Sequence, residues 1–465
     1  MEALSDALAA ARGVGGASRR QARLSEVLAG LGRRADAVAE LERARALPPG
    51  GAEDYEALAF AAFGLGEHAL AQGFYANVVE LAPHDAAAWY NLATAERNIG
   101  RLDIAEAASN RALDLDPQLV QAALLRSNLR TQRPDHNHVD ELRRRRADMA
   151  GAPAAQIFLN YALGKELDDL SVYDEAFAHF AEGAQARRAS LDYDVAEDVR
   201  KLGRIRETFS AERLEGSLPR ADVPGGYGFV LGLPRSGTTL IERVLTGHPD
   251  ISSNGETDNF LAALMEGVAE GVGDIFERAA RADPACVANA YARRAGVPRP
   301  GGLVLEKLPL NYLYAGAIRL ALPGAPILLV TRSPADNLFA MFSTLFGSGY
   351  PFSYDLGELT RYHAAYRDLV GHWRRTLGGQ LLEVSYEAFI AAPASVGPKI
   401  ATHVGVGWRE GMVRVEENRT ASATASAAQV RQPIYGKSVG RWRNYARHLG
   451  PMLQALEADG VDLEA

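Results

Sequence analysis

The chain predicts a helical repeat array followed by an α/β domain built on a parallel sheet. Three observations carry this. Glycine, alanine and proline recur together at a fixed period in the first third of the sequence. In the second half, four short apolar runs alternate with amphipathic stretches. A glycine-containing loop of phosphate-binding character sits between the first of those runs and the segment after it.

The period is 34 residues. Gly32, Gly66 and Gly100 share it, as do Ala37, Ala71 and Ala105, and Pro49, Pro83 and Pro117. The period and these residues resemble tetratricopeptide repeats, pairs of antiparallel helices that stack into a superhelix. In "AAAWYNLATAERNIGRLDIAEAASNRALDLDP", Trp89 and Leu92 fall on one face of a first helix and Gly100 makes the turn. Ala105 and Ala112 let the second helix pack closely, and Pro117 ends the unit because proline cannot continue a helix. A weaker copy, "IFLNYALGKELDDLSVYDEAFAHFAEGAQARR", keeps Leu163, Gly164, Ala176 and Phe180 in phase, with Ser171 in place of the turn glycine. The basic run Arg143 to Arg146 between the copies reads as a solvated helix face or connector in this acidic chain. The predicted helical domain therefore covers residues 1–210. Its concave surface is either a holder of peptide segments or a scaffold, and the sequence leaves both open.

Residues 220–465 form the second predicted domain. Tyr227–Leu233, Gly302–Lys307, Ala325–Thr331 and Gln380–Tyr386 read as buried strands with helical segments between them, the pattern of a parallel sheet covered on both faces. Functional groups in such a sheet collect at the carboxyl ends of the strands. Arg235, Lys307, Arg332 and Tyr386 fall there.

The loop Gly232–Thr239, G-L-P-R-S-G-T-T, has the spacing of a Walker phosphate loop, but Thr238 stands where the lysine belongs. Backbone N–H groups at the start of the following helix, the hydroxyls of Ser236, Thr238 and Thr239, and the planar fork of Arg235 suit an anion. Without the lysine that reaches β- and γ-phosphates, a nucleotide with a shorter 5′ anion is expected rather than a hydrolysed triphosphate.

"LPRSGTTL" resembles the 5′-phosphosulfate loop of sulfotransferases that use 3′-phosphoadenosine 5′-phosphosulfate. The Pro-Arg-Ser-Gly-Thr-Thr form is similar to that of protein-tyrosine sulfotransferases and of bacterial sulfotransferases fused to tetratricopeptide repeats. The resemblance implies a P-loop-like sulfotransferase fold and a nucleotide held by Pro234, Arg235, Ser236, Gly237, Thr238 and Thr239. In "HPDISSNGETDNF" it makes Glu256 the general base, and in "LEKLPLNYLY" it makes Lys307 a catalytic lysine. "VTRSPADNLFAMF" supplies Arg332 to the 3′-phosphate; the serine usual eight residues later is Ala340 here. "VSYEAF" gives Tyr386 as a nucleotide contact. "TASAAQVRQPIYGKSVGRWRNY" resembles the segment that closes over the nucleotide, with Ser426 catalytic and Arg441 near the 3′-phosphate. His248 and Trp442 are expected to be structural. The implied reaction moves a sulfuryl group to an acceptor hydroxyl and releases 3′-phosphoadenosine 5′-phosphate. Protein tyrosine is the acceptor nearest the motifs, with a carbohydrate, lipid or small-molecule hydroxyl left open, and the partner is a hydroxyl acceptor for which a protein or peptide held by the repeats is one reading.

Bulk properties fit this and narrow the alternatives. Net charge is −8, against a nucleic-acid-binding surface. Cys286 is the single cysteine, and "MEALSDALAAARG" lacks a continuous apolar core, so a cytoplasmic protein without a secretory signal is expected, and no apolar run is long enough to span a membrane. No cluster has metal-ligand spacing, so no metal is expected. A nucleotide-dependent kinase or NTPase is the rival enzyme class, disfavoured by the missing lysine. An adaptor with an inactive nucleotide domain is the rival non-enzyme, with Ala340 its only support.

Overall fold

The computed structural model describes residues 16–215, 224–268, 273–347, 349–418, 420–424, 429–434 and 436–463. Packing divides the chain into two compact units. One gathers the described residues up to Thr131 with Arg293–Gly296 and 420–423; the other contains the rest.

The first unit is a set of helical hairpins: α1 (Ala17–Gly30) with α2 (Arg34–Arg45), α3 (Ala52–Gly64) with α4 (His68–Leu81), α5 (Ala86–Ile99) with α6 (Leu102–Leu115), and then α7 (Val120–Ser127). The turn glycines Gly32, Gly66 and Gly100 have φ of 72°, 78° and 87°. This left-handed backbone is open to glycine at little cost, which is why the period carries glycine there. Ala37, Ala71 and Ala105 are fully buried at the facing helix surfaces, where a larger side chain would hold the pairs apart. Asp85 caps α5 by accepting from the N–H groups of Ala87 and Ala88.

The second unit begins earlier than the sequence predicts. Its first helices are α8 (Val139–Asp148), α9 (Pro153–Asp169), α10 (Tyr173–Ala189) and α11 (Val195–Thr208). The α9–α10 pair is the weaker repeat copy, and it keeps the repeat turn: Ser171 takes φ 63° in the glycine position. Ala176 and Phe180 are buried, and Gly164 is needed because a Cβ there would lie 2.6 Å from the Phe180 ring. Yet this hairpin packs with the sheet domain rather than with the preceding repeats. The Tyr161 hydroxyl donates to the Phe342 carbonyl at 3.2 Å and Arg188 forms a two-pronged pair with Glu358; at the end of α11, the Phe209 carbonyl likewise meets His372 Nε2 at 2.7 Å. Buried apolar faces and paired charges of this kind set the limit of the compact unit at 131/132, not near 210. The basic run lies on α8, with Arg143 paired to Glu175, Arg145 to Glu141 and Arg146 to Glu182, as expected of a solvated face.

The sheet has five strands, β1 (Tyr227–Gly232), β2 (Ile251–Ser253), β3 (Leu303–Lys307), β4 (Ile327–Thr331) and β5 (Leu381–Ser385), all parallel in the order β2-β3-β1-β4-β5. The four predicted strands are present within two residues at either end; β2, three residues long at the sheet edge, was not anticipated. Every residue of β1 is buried, because both faces are covered. Val230 faces Ile241, Val244 and Leu245 of α12 (Thr238–Thr246), while Phe229 meets Phe260 and Tyr291 edge-on or tilted on the other face. After β1 the chain runs to β2 and β3 on one side, then crosses to β4 and β5 on the other. The carboxyl end of β1 thus lies at the switch in strand order, where open α/β sheets place their ligands. Among the described residues no helix is long and apolar enough to cross a membrane.

Candidate active site

The loop leaving β1 is wound tightly. Gly232, Arg235 and Gly237 all have positive φ, at 148°, 65° and 105°. A left-handed arginine is uncommon and costs on the order of 1–3 kcal/mol, which the surroundings must offset. They do so by fixing the loop from the side of β4. The Arg332 guanidinium donates to the Arg235 carbonyl at 3.0 Å, and the Asn337 amide donates to the Pro234 carbonyl at 2.8 Å. Gly237 is required for space: a Cβ would lie 2.5 Å from the Tyr386 ring. The loop opens directly into α12, whose first-turn N–H groups lack intrahelical acceptors by construction. Ser236, Thr238 and Thr239 are all buried around it. Among the described residues the buried Ser236 hydroxyl oxygen has no hydrogen-bond partner, which costs about 1–3 kcal/mol unless an anion is bound there.

Tyr386 opens α16 (Tyr386–Ala391, following α13 at Asn259–Gly267, α14 at Pro334–Phe342 and α15 at Leu356–Thr376). Arg332 stacks over its ring at 5.2 Å, and its hydroxyl meets Ser438 Oγ at 2.7 Å. A second Arg332 nitrogen donates to the Ser438 carbonyl. Burial lowers the Arg332 pKa from the ordinary arginine value, with Asp336, Tyr386 and Glu387 opposing it. Arg332, Tyr386 and the loop are thus one packed group.

Arg332 does not pair with Asp336. That carboxylate instead accepts from the backbone of Gly440 and of Trp442, the latter at 2.9 Å. Trp442 is buried, as expected of a structural aromatic, with the Arg443 guanidinium over it. Arg441 is more committed than its assignment to a 3′-phosphate suggests. Its guanidinium pairs with Asp168 at 2.7 Å and lies 5.1 Å over the Phe339 ring, although its charge still bears on Arg332. The Asp168 partner, 273 residues away, has no local sequence signal. Ala340 is buried on α14; the Thr344 and Ser343 hydroxyls bond its carbonyl. Ser426 lies outside the described residues.

The second group gathers at the ends of β2 and β3. Lys307 ends β3 with its side chain wholly buried, and its ammonium contacts the Glu256 carboxylate. Glu256 is 37% exposed, so it faces both the lysine and the open side of the site. The turn carrying it is tied to β3, since the Lys307 N–H donates to the Gly255 carbonyl at 3.1 Å and the Asn254 N–H to the Leu305 carbonyl at 2.9 Å. Glu242 of α12 stands 3.7 Å from the same ammonium. Burial, the largest effect, holds the Glu242 carboxyl above its ordinary value, against the opposing pull of Lys307 and the Ser253 hydroxyl. Glu242 escaped notice in the sequence because a glutamate in an amphipathic helix looks solvated. His248 is structural: buried, its Nδ1 accepts from the Asp250 N–H at 3.2 Å.

Residues 229–410 match the sulfotransferase family, and residues 86–119 match the tetratricopeptide repeat. A protein of unassigned function from Aquifex aeolicus is 24% identical over 384 residues, covering 79% of this chain and 50% of that protein; the chain thus spans half the length of this relative. A Caenorhabditis briggsae protein provisionally named a protein-tyrosine sulfotransferase is 24% identical over 232 residues, 46% of this chain and 79% of its own. Among solved structures, the sulfotransferase domain of the Synechococcus PCC 7002 olefin synthase is 18% identical, with 53% of this chain and 98% of that chain covered at a TM-score of 0.33. A match to the sulfotransferase family over residues 229–410 thus follows, in the sequence, a match to the tetratricopeptide repeat over residues 86–119.

Proposed function

We propose that the protein transfers a sulfuryl group from 3′-phosphoadenosine 5′-phosphosulfate to an acceptor hydroxyl, with protein tyrosine as the acceptor class. The observation that carries the reading is the contact between Lys307 and Glu256 in a domain whose phosphate loop lacks the Walker lysine. A buried ammonium beside a half-exposed carboxylate supplies the two groups that sulfuryl transfer requires: a base for the acceptor proton and a cation for the departing phosphate.

The residues present suit the donor. The buried, unpartnered Ser236 hydroxyl and the first turn of α12 offer hydrogen bonds to the 5′ phosphosulfate, and Arg235 offers a cation. Tyr386 and Arg332 present a stacked aromatic and guanidinium pair on the far side of Gly237 for the rest of the nucleotide. When bound, the donor brings an already activated sulfuryl group. The remaining work falls to this chain's side chains. Glu256 accepts the acceptor's proton as the new S–O bond forms. Lys307 and Arg235 stabilise the negative charge that develops on the leaving phosphate oxygen, a role in which preorganised donors are most effective. Tyrosine as acceptor is supported by the form of the loop and by the provisional name of the nematode relative. Repeats that hold the protein acceptor are part of the same proposal.

The nucleotide half of this reading is tested by thermal unfolding. 3′-Phosphoadenosine 5′-phosphate at about a hundred times its Kd should stabilise the domain by about 2.7 kcal/mol, and ADP should do much less. Arg235→Ala should abolish most of the shift. Equal stabilisation by ADP would remove 3′-phosphate recognition from the proposal.

A further inference from the structure

The residue left unused by this mechanism is Glu242. It lies on the helix that the phosphate loop opens, one turn past Thr238 and Thr239, and is buried. Its two oxygens are differently engaged: one accepts from the Ser253 hydroxyl, the other stands 3.7 Å from the Lys307 ammonium. Ser253 Oγ in turn accepts from the Gly255 N–H at 3.0 Å, one residue before Glu256. A continuous chain of contacts thus runs from Glu242 through Ser253 and Gly255 to the turn that presents Glu256, and closes on Lys307 from both ends.

An ammonium with no exposed surface needs a counter-charge; an uncompensated buried charge is among the most destabilising features a protein can contain. Lys307 has two carboxylates for this. Glu256, however, is assigned to take a proton from the acceptor, and once it has done so it is neutral. Glu242 then holds the only negative charge paired with the lysine among the described residues. Among the described residues, the field of Arg243 also reaches Glu242, and the Tyr350 phenol senses Glu256. Glu306, the neighbour of Lys307 along β3, engages the opposite face of the sheet.

We propose that Glu242 is a positioning residue for Lys307: it is the standing counter-ion that keeps the buried side chain an ammonium, held against the phosphate-loop helix, while Glu256 gains and loses a proton. This rests on the roles given above to Glu256 and Lys307. The coupling between Glu242 and Lys307 is measurable without turnover.

The sequence makes that measurement tractable, because the chain has five lysines, Lys165, Lys201, Lys307, Lys399 and Lys437. The full-length protein labelled with 13Cε-lysine gives few signals, and Lys307→Arg identifies the one of interest. In Glu242→Gln the Lys307 resonance should move at a lower pH than in the wild type, because removing a neighbouring opposite charge disfavours the ammonium. Glu242→Asp keeps the charge one methylene farther away, so it should show a smaller shift in the same direction, and it serves if the glutamine variant does not fold. In assays of sulfuryl transfer, Glu242→Gln should lower kcat with little change in KM for the donor. A purely structural Glu242 would lower Tm and leave the Lys307 titration in place; an unchanged titration in both variants overturns the proposal. A shifted titration in a protein that transfers no sulfuryl group would uphold the coupling and remove the function assigned above.

Discussion

Glu306 shows how one residue can set a pH dependence from outside the site. Adjacent residues of a strand face opposite ways, so Lys307 enters the site and Glu306 enters the core behind it. There its carboxyl accepts from the Phe260 N–H at 3.3 Å, from the Asn311 amide at 3.0 Å and from the Thr257 hydroxyl at 3.4 Å. Burial outweighs these bonds and pushes the carboxyl up to about 7 from an ordinary value of 4.5. The folded protein therefore holds this proton more tightly than the unfolded chain. The associated stability is fully present below about pH 4.5 and is lost as pH rises through 7. A shift of that size corresponds to on the order of 3 kcal/mol. Glu306→Gln keeps an acceptor for Phe260 and Asn311 and cannot ionise. Urea unfolding between pH 5 and 8 should show the variant gaining on the wild type by roughly that amount as pH rises; parallel curves would mean that Glu306 ionises as freely when folded. Residues of this kind are invisible in the sequence. "LEK" marks Lys307 at a strand end, but it takes the packing of Phe260 and Asn311 to show what becomes of the glutamate beside it.

Among the elements, the first turn of α14 does the most to organise the site. Asn337 holds the Pro234 carbonyl of the phosphate loop, and Asp336 accepts from Gly440 and Trp442 in the segment expected to close over the nucleotide. That segment carries Ser438, which engages both Tyr386 and Arg332. Asp336→Ala would leave two backbone donors without their acceptor, at about 1–3 kcal/mol each. Calorimetric titration with 3′-phosphoadenosine 5′-phosphate should then show affinity at least tenfold weaker, since Arg332 and Tyr386 lose their support. Unchanged affinity would make the closing segment irrelevant to the nucleotide. Local elements were the legible ones. The repeat hairpins can be read because a left-handed turn demands glycine at a fixed place, and even Ser171 can be placed from its spacing to Leu163, Gly164, Ala176 and Phe180. The phosphate loop is contiguous and could be read for the same reason. The edge strand β2 could not, since Ile251–Ser253 is too short to show alternation. Nor could the partners of Arg441 and Glu242, which arrive from distant segments and are fixed only by tertiary packing.

At the scale of the whole chain, periodicity and compactness give different boundaries. The repeat pattern returns in α9 and α10 after an intervening segment that breaks the 34-residue phase, which is why the sequence places the end of the helical domain near 210. The apolar faces of those helices find their partners in α14, α15 and the segment around Arg441, so they fold with the sheet. Pattern records what a segment forms; its partners decide which unit it joins. The same sheet brings Lys307, Glu256 and the phosphate loop to the carboxyl ends of neighbouring strands, and on this arrangement the proposed chemistry stands. Its most direct test uses the full-length protein with 35S-labelled 3′-phosphoadenosine 5′-phosphosulfate and a tyrosine-containing acidic peptide or p-nitrophenol as acceptor. Label should pass to the acceptor hydroxyl with release of one 3′-phosphoadenosine 5′-phosphate per transfer. Glu256→Gln should lower kcat by about 10²–10⁴-fold while nucleotide affinity stays nearly the same. Transfer by the glutamine variant at close to the wild-type rate, or label that stays on the donor with every hydroxyl acceptor offered, would contradict it.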